Sequence, residues 1–194
     1  MEKDMWPVLL LNGTNVALIT GCMIWAIRHT NPVRGLFRFF TILSNLLCAA
    51  VSLVVLLCAA AGSLPFWALL LKYAGTAAVT VTLLTVLLFL VPATRDYKRM
   101  LTGPEFFLHL LCPLLAIVSF LVFEKKTVMP AWTIAVGVLP VVLYGLVYLK
   151  KVFFTPEGRG WDDIYCFRRF RLWPVAFLLM LLGACLIAFL LWLI

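Results

Sequence analysis

Six long apolar runs, at approximately residues 6–27, 37–60, 66–91, 104–123, 129–149 and 172–194, limit what this chain can fold into more than any other feature. Each is close to the ~20 residues an α-helix needs to cross a hydrocarbon core about 30 Å thick. A closed β-barrel also satisfies its backbone in lipid, but these runs lack the alternating apolar and polar residues of barrel strands. The connectors are too short to fold separately. The expected architecture is therefore all-α, an integral membrane bundle of six transmembrane helices forming one domain over residues 1–194. Composition agrees: 65% of residues are hydrophobic and 12% charged, where a soluble domain carries about a quarter charged residues. Met1 to Asp4 hold two acids and one lysine, which does not read as a cleavable leader, so the first helix is expected to stay.

The distribution of basic residues sets the expected topology. Arg28, Arg34 and Arg38 lie between runs one and two, and Arg95, Lys98 and Arg99 between runs three and four. Lys150, Lys151, Arg159, Arg168, Arg169 and Arg171 lie between runs five and six, leaving only Lys3, Lys72, Lys125 and Lys126 elsewhere. The positive-inside rule puts those three connectors in the cytoplasm and both termini on the non-cytoplasmic side. The net charge of +8 is thereby accounted for without nucleic acid. Anionic lipid headgroups are the expected partners of the basic loops. Trp6, Trp67, Trp132, Trp173 and Trp192 fall near run ends, as interfacial anchors do. The last of these loops, with Glu157, Asp162 and Asp163, is the longest and most polar and is the best candidate for a lid.

Few polar residues interrupt the runs. An ionisable side chain inside a bilayer suggests function by default, because removing it from water is expensive. In "FRFFTILSNLL" Thr41, Ser44 and Asn45 share one side of a helix, and in "PEFFLHLLCP" His109 follows Glu105 by one turn. If Arg38 and Glu105 mark the interface, Thr41 lies about 4.5 Å deeper and His109 about 6 Å deeper. An alcohol and an imidazole at matching depth constitute a nucleophile and its base. Glu105 is placed to orient the imidazole, as the third member of a triad does. Ser44 and Asn45 are candidate oxyanion donors, since mid-helix backbone N–H groups are already bonded. Arg38, three residues before Thr41, is expected on the same face, where it could meet a substrate carboxylate or phosphate.

Packing is the competing explanation for Thr41, Ser44 and Asn45, since such residues commonly bridge helices in bilayers. Lys72, near the end of its run, is expected to snorkel to the interface. Thr76 and Thr80 continue its stripe and, with Asn12, Asn15, Tyr144 and Tyr148, are candidates to line a polar cavity. The six cysteines form no CxxC pair and read as small packing residues. With only His29 and His109 and no HExxH, no metal site is expected. Neither a phosphate-cradling glycine loop nor a GxSxG elbow is present, and no cofactor is expected.

The pair "FFTILSNLL" and "FFLHLLCPLL", each opening a run, resembles the family of androgen-induced and androgen-dependent TFPI-regulating membrane proteins and their bacterial and fungal relatives. The six-span layout extends that likeness over most of the chain. The resemblance implies an intramembrane threonine hydrolase acting on fatty acid esters of hydroxy fatty acids or similar acyl esters, with Thr41 as nucleophile and His109 as its partner. In the last loop "GRGWDDIYCF" keeps the family's Gly160, Trp161, Tyr165 and Phe167 but has Cys166 where proline is typical.

Two functions follow as expectations. One is a lipid esterase with its substrate in the bilayer, catalysed by Thr41 and His109, with Arg38, Lys72, Thr76, Thr80, Tyr144 and Trp161 contacting the substrate. Acyl transfer to another lipid shares its first half-reaction. The other is a small transporter or lipid-binding scaffold without catalysis, with Lys72, Thr76, Thr80, Asn15 and His109 along a passage.

Overall fold

The computed structural model describes residues 5–125, 128–156, 158–165, 167 and 173–194. Lys3, Lys126, Glu157, Cys166, Arg168, Arg169 and Arg171 lie outside that set. Among the described residues six helices are long and apolar enough to cross a membrane: α1 (Met5–His29), α2 (Phe40–Ala60), α3 (Phe66–Leu90), α4 (Pro104–Glu124), α5 (Thr133–Phe153) and α6 (Trp173–Leu193). The chain is a multi-pass membrane protein. Six crossings bring both termini to one end of the bundle, here termed the terminal end; the basic connectors lie at the other, the basic end.

Two helices begin later than the hydropathy suggests. Residues Val33–Arg38 form a separate 3₁₀ turn, and Phe39 is extended before α2 begins at Phe40. Arg38 is therefore not on the helix that carries Thr41, and the three-residue spacing does not place the two on one face. Helix α5 starts at Thr133, whose hydroxyl donates to Pro130 O at 2.7 Å, and runs on to Phe153 past Lys150 and Lys151. Those two lysines suit the negative end of the helix dipole.

Helix α3 is the axis of the bundle. It packs against α2 and α4 on one side and α5 and α6 on the other. Within its most apolar stretch 67% of residues are buried inside the protein, against 22% for α6. A central helix must be thin, and α3 is built from Ala68, Ala74, Gly75, Ala77 and Ala78, with Thr76, Thr80 and Thr82 also buried. A Cβ on Gly75 would sit 2.5 Å from Val51 Cγ2 of α2, so only glycine permits this approach. Tyr73 fills the opposite side: its ring lies over Gly137 of α5, and its hydroxyl donates to Ala188 O of α6 at 2.7 Å.

The described cysteines are free thiols; Cys22, Cys48 and Cys112 are buried where α1, α2 and α4 meet. At the terminal end Lys125 donates to Leu191 O and Trp192 O, the last carbonyls of α6. Burial pushes its ammonium below the ordinary lysine range. Trp192 Nε1 donates to Met129 O at 2.6 Å. These contacts close the terminal end around residues from α6 and the connector between α4 and α5.

Gly137→Ala places a methyl group 2.7 Å from Tyr73 Cε1 and should lower stability by about 1–3 kcal/mol. Tyr73→Phe, which removes only the bond to Ala188 O, should lower it by about 1 kcal/mol. Unfolding in detergent micelles orders the two variants.

Candidate functional site

At the basic end, the sequence of α4 fixes the setting of His109. Pro113 has no N–H to offer and its ring crowds the carbonyl four residues back, which belongs to His109. The helix responds by widening to π-type bonding over Phe107–Leu111, so His109 sits on a π-bulge, a feature frequent at functional sites. The imidazole is 6% exposed. Its Nδ1 lies 2.8 Å from Met100 O, and its Nε2 lies 3.3 Å from Glu105 Oε2. A ring nitrogen facing a carbonyl oxygen must carry hydrogen, so Nδ1 is the donor. The second contact needs a proton between Nε2 and the carboxylate, since two lone pairs would otherwise oppose each other. The orienting acceptor for the imidazole is thus the Met100 carbonyl, not Glu105 as the triad analogy suggests. Glu105, with its side chain 45% exposed, can exchange that proton with water.

Thr41 is half-buried in the first turn of α2, and its hydroxyl has no hydrogen-bond partner among the described residues. It makes no hydrogen bond to His109. The two turns are nevertheless joined: Asn45 Nδ2 donates to Thr41 O at 2.8 Å and to Leu108 O at 3.0 Å. Ser44 Oγ bonds Thr41 O at 3.1 Å and Thr82 Oγ1 of α3 at 2.8 Å. Both amide hydrogens of Asn45 are therefore committed to backbone, and Ser44 is engaged with α3. The donor role expected of this pair is replaced by helix packing that fixes the Thr41 turn against α3 and α4.

The last loop straps onto the start of α2. Arg38 Nη1 donates to Asp162 Oδ2 at 2.8 Å, Tyr144 OH donates to Arg38 O, and the Phe40 N–H donates to Tyr165 OH. That last bond satisfies an amide at a helix start that no side chain of its own N-cap covers. Burial pushes the Tyr165 hydroxyl above its ordinary range, keeping it neutral. Tyr148 OH anchors the loop by donating to Asp163 Oδ1 at 2.8 Å. Trp161 stacks on Tyr144. Beside this strap an apolar groove of ≈ 470 Å³ runs between α2 and α5, lined by Phe37, Phe40, Leu43, Ser44, Leu47, Pro140, Leu143, Tyr144, Val147 and Trp161. Tyr144 and Trp161 are thus brought together with Ser44. Arg38 reaches the loop instead.

Lys72 and Thr76 lie deeper along α3, and Thr80 spends its hydroxyl on Thr76 O at 2.7 Å. Ten residues of α3 separate Lys72 from Thr82, roughly 15 Å along the axis. Lys72 does not snorkel: it is 0% exposed and turns inward. Its Nζ donates to Asn12 Oδ1 at 2.6 Å and Ser52 Oγ at 3.1 Å, and stands 3.8 Å from Glu124 Oε1. That carboxylate oxygen also accepts from Asn12 Nδ2 at 2.6 Å and from Ser119 Oγ at 2.5 Å. Side chains from α1, α2, α3 and α4 thus form one buried cage around an ion pair. Sequence reading passes over Glu124, which closes the fourth apolar run and looks like an interfacial charge. The signal available was charge balance: a lysine inside a run calls for an acid at similar depth, and Glu124 is the one acid at the terminal end of α4.

Asn15, Cys48 and Thr76 continue from this cage toward the basic end. Asn15 Nδ2 meets Cys48 Sγ at 3.4 Å. Asn15 Oδ1, Asn45 Oδ1, Thr76 Oγ1 and Glu124 Oε2 are buried without a protein partner. Each such atom costs about 1–3 kcal/mol if left dry, and four of them would offset much of a typical stability of about 5–15 kcal/mol.

No family model, curated protein or solved structure matches this chain.

Lys72→Met leaves Glu124 buried without its counter-charge and should destabilise the protein by about 3–5 kcal/mol. Combining it with Glu124→Gln removes both charges and should recover most of that loss. Unfolding of the two single variants and the double variant measures the coupling; strictly additive losses would mean that the pair does not interact.

Proposed function

We propose that this protein is an intramembrane lipid ester hydrolase with Thr41 as nucleophile and His109 as base. The observation that carries the reading is the bridge made by Asn45, whose amide ties the Thr41 turn of α2 to the Leu108–His109 turn of α4. The free Thr41 hydroxyl and an imidazole oriented through Nδ1 supply the two chemical groups. His109 first passes the proton at Nε2 to Glu105 and out to water. Thr41 Oγ then attacks the ester carbonyl while Nε2 takes its proton. Collapse of the tetrahedral intermediate expels the alcohol, which leaves with that proton, and an acyl-Thr41 remains. Water, deprotonated by Nε2, releases the acid and restores the hydroxyl.

The groove between α2 and α5 suits an acyl chain arriving sideways from the bilayer, since its walls are almost wholly apolar and it adjoins the Thr41 turn through Ser44. Ser44 and Asn45 act here by holding that turn. Arg38 and Asp162 fasten the loop beside the groove, to whose lining it contributes Trp161. The substrate class is an acyl ester of a lipid, such as a fatty acid ester of a hydroxy fatty acid.

Thr41→Ala and His109→Ala should each lower ester turnover by at least about 100-fold, and a fluorophosphonate probe should modify Thr41. Labelling that persists unchanged in Thr41→Ala would overturn the assignment. The basic end is assigned to the cytoplasm, facing anionic headgroups. Reporter domains fused to either terminus should be active only when the reporter works outside the cytoplasm.

A further inference from the structure

Ester hydrolysis near the basic end leaves the Lys72–Glu124 cage unused. Membrane proteins rarely retain a dry ion pair without a task, because ionisable groups at depth are expensive and mark ion or proton routes. Here the pair does not stand alone. Along one face of α2, Thr41, Asn45, Cys48 and Ser52 follow at spacings of four, three and four residues, so each polar group lies about 4.5–6 Å from the next along the axis. Lys72, Thr76 and Thr80 repeat the pattern on α3, and Asn12 and Asn15 on α1. The partners already described join these faces into one internal seam: Asn45 to α4, Cys48 to Asn15, and Ser52 to Lys72.

Among the described residues, four of the five buried side-chain atoms without a protein partner belong to this seam. They are Asn45 Oδ1, Asn15 Oδ1, Thr76 Oγ1 and Glu124 Oε2, on residues 0%, 1%, 0% and 3% exposed. Steps of 4.5–6 Å between polar groups match the span of a single bridging water, which needs two to four polar partners of this kind. Ionisable groups stand at both ends, Glu105 with His109 at one and Glu124 with Lys72 at the other.

We propose that this seam conducts protons across the bilayer, through water held between Asn45 and Thr76, with the Lys72–Glu124 pair as its gate. A proton enters at Glu105, which is in contact with solvent, and passes to the imidazole. With Nδ1 on Met100 O and Nε2 on Glu105, the ring turns to hand the proton on, and it then moves by relay along water and hydroxyl groups to Glu124 Oε2. Protonation neutralises the carboxylate and loosens its hold on the Lys72 ammonium. Glu124 is buried while the ion pair holds; once neutral and released by Lys72 it turns outward from the end of α4, gives the same proton to the solvent of the terminal face, and the ion pair reforms. No bond other than O–H and N–H is made or broken. The cargo is a proton and not a larger solute, because α2 and α3 touch where they flank the seam: a single methyl on Gly75 would already strike Val51.

The test is proton flux into liposomes that hold the purified full chain and an entrapped pH-sensitive dye, driven by a potassium diffusion potential set with valinomycin. Wild-type vesicles should change internal pH at least tenfold faster than protein-free vesicles. Glu124→Gln should reduce the rate at least fivefold, and so should Thr76→Val, which keeps the side chain's shape and removes only its hydroxyl. Leu57→Ala, on the lipid-facing side of α2, should leave it unchanged. If Glu124→Gln fails to insert or fold, Thr76→Val decides. A wild-type rate equal to that of protein-free vesicles, or one fully retained in Thr76→Val, overturns the proposal.

Discussion

Within the hydrocarbon layer there is no water to solvate a polar atom, so every such atom on these helices must find its partner inside the bundle, and the arrangement of the helices follows from that requirement. Apolar packing alone sets no unique order for six greasy helices, because lipid tails are as apolar as leucine. Specific order comes from the buried polar contacts. Lys72 draws α1, α2 and α4 around α3 by way of Asn12, Ser52 and Glu124. At the basic end Asn45 and Ser44 tie α2 to α4 and α3, and Tyr73 fastens α6 to α3 from the other side. Small residues make these contacts possible: alanines and Gly75 thin α3 enough for polar side chains on its neighbours to meet.

Helix winding decides which of these groups can meet. Ser119 and Glu124 are five residues apart, a spacing that puts them on different faces of a regular α-helix. Over Ser119–Glu124 the backbone bonds in π fashion, i to i+5, and the two side chains come within hydrogen-bond distance. The same winding over Phe107–Leu111, forced by Pro113, sets the direction of His109. The two ionisable centres of α4 thus sit on its two π segments, one at each end of the helix.

Between those ends the protein maintains two different environments. The basic end is fastened in part by an exposed contact, Arg38 with Asp162, beside the buried tyrosines that pack under Trp161. Exposed ion pairs contribute little stability, so this end opens more easily than the dry cage at the other. The terminal end is closed by Lys125 on the α6 carbonyls and by the Lys72–Glu124 pair.

The amino-acid sequence by itself determined the all-helical, membrane-spanning architecture and the helix count, because hydrocarbon thickness and backbone satisfaction leave almost no alternative for runs of this length. It also singled out the residues at issue in the basic-end site, Thr41, Ser44, Asn45, Glu105 and His109, since polar groups are conspicuous in such runs. Their partners were decided only by tertiary structure. Asn45 faces the Leu108 carbonyl, His109 is oriented by Met100 O, and Arg38 is cut off from α2 by the extended Phe39. Lys72 is buried because Asn12, Ser52 and Glu124 converge on it from three other helices. Spacing along one helix fixes which face a residue occupies; what that face meets depends on how separate helices pack, and on local π winding that shifts the faces themselves.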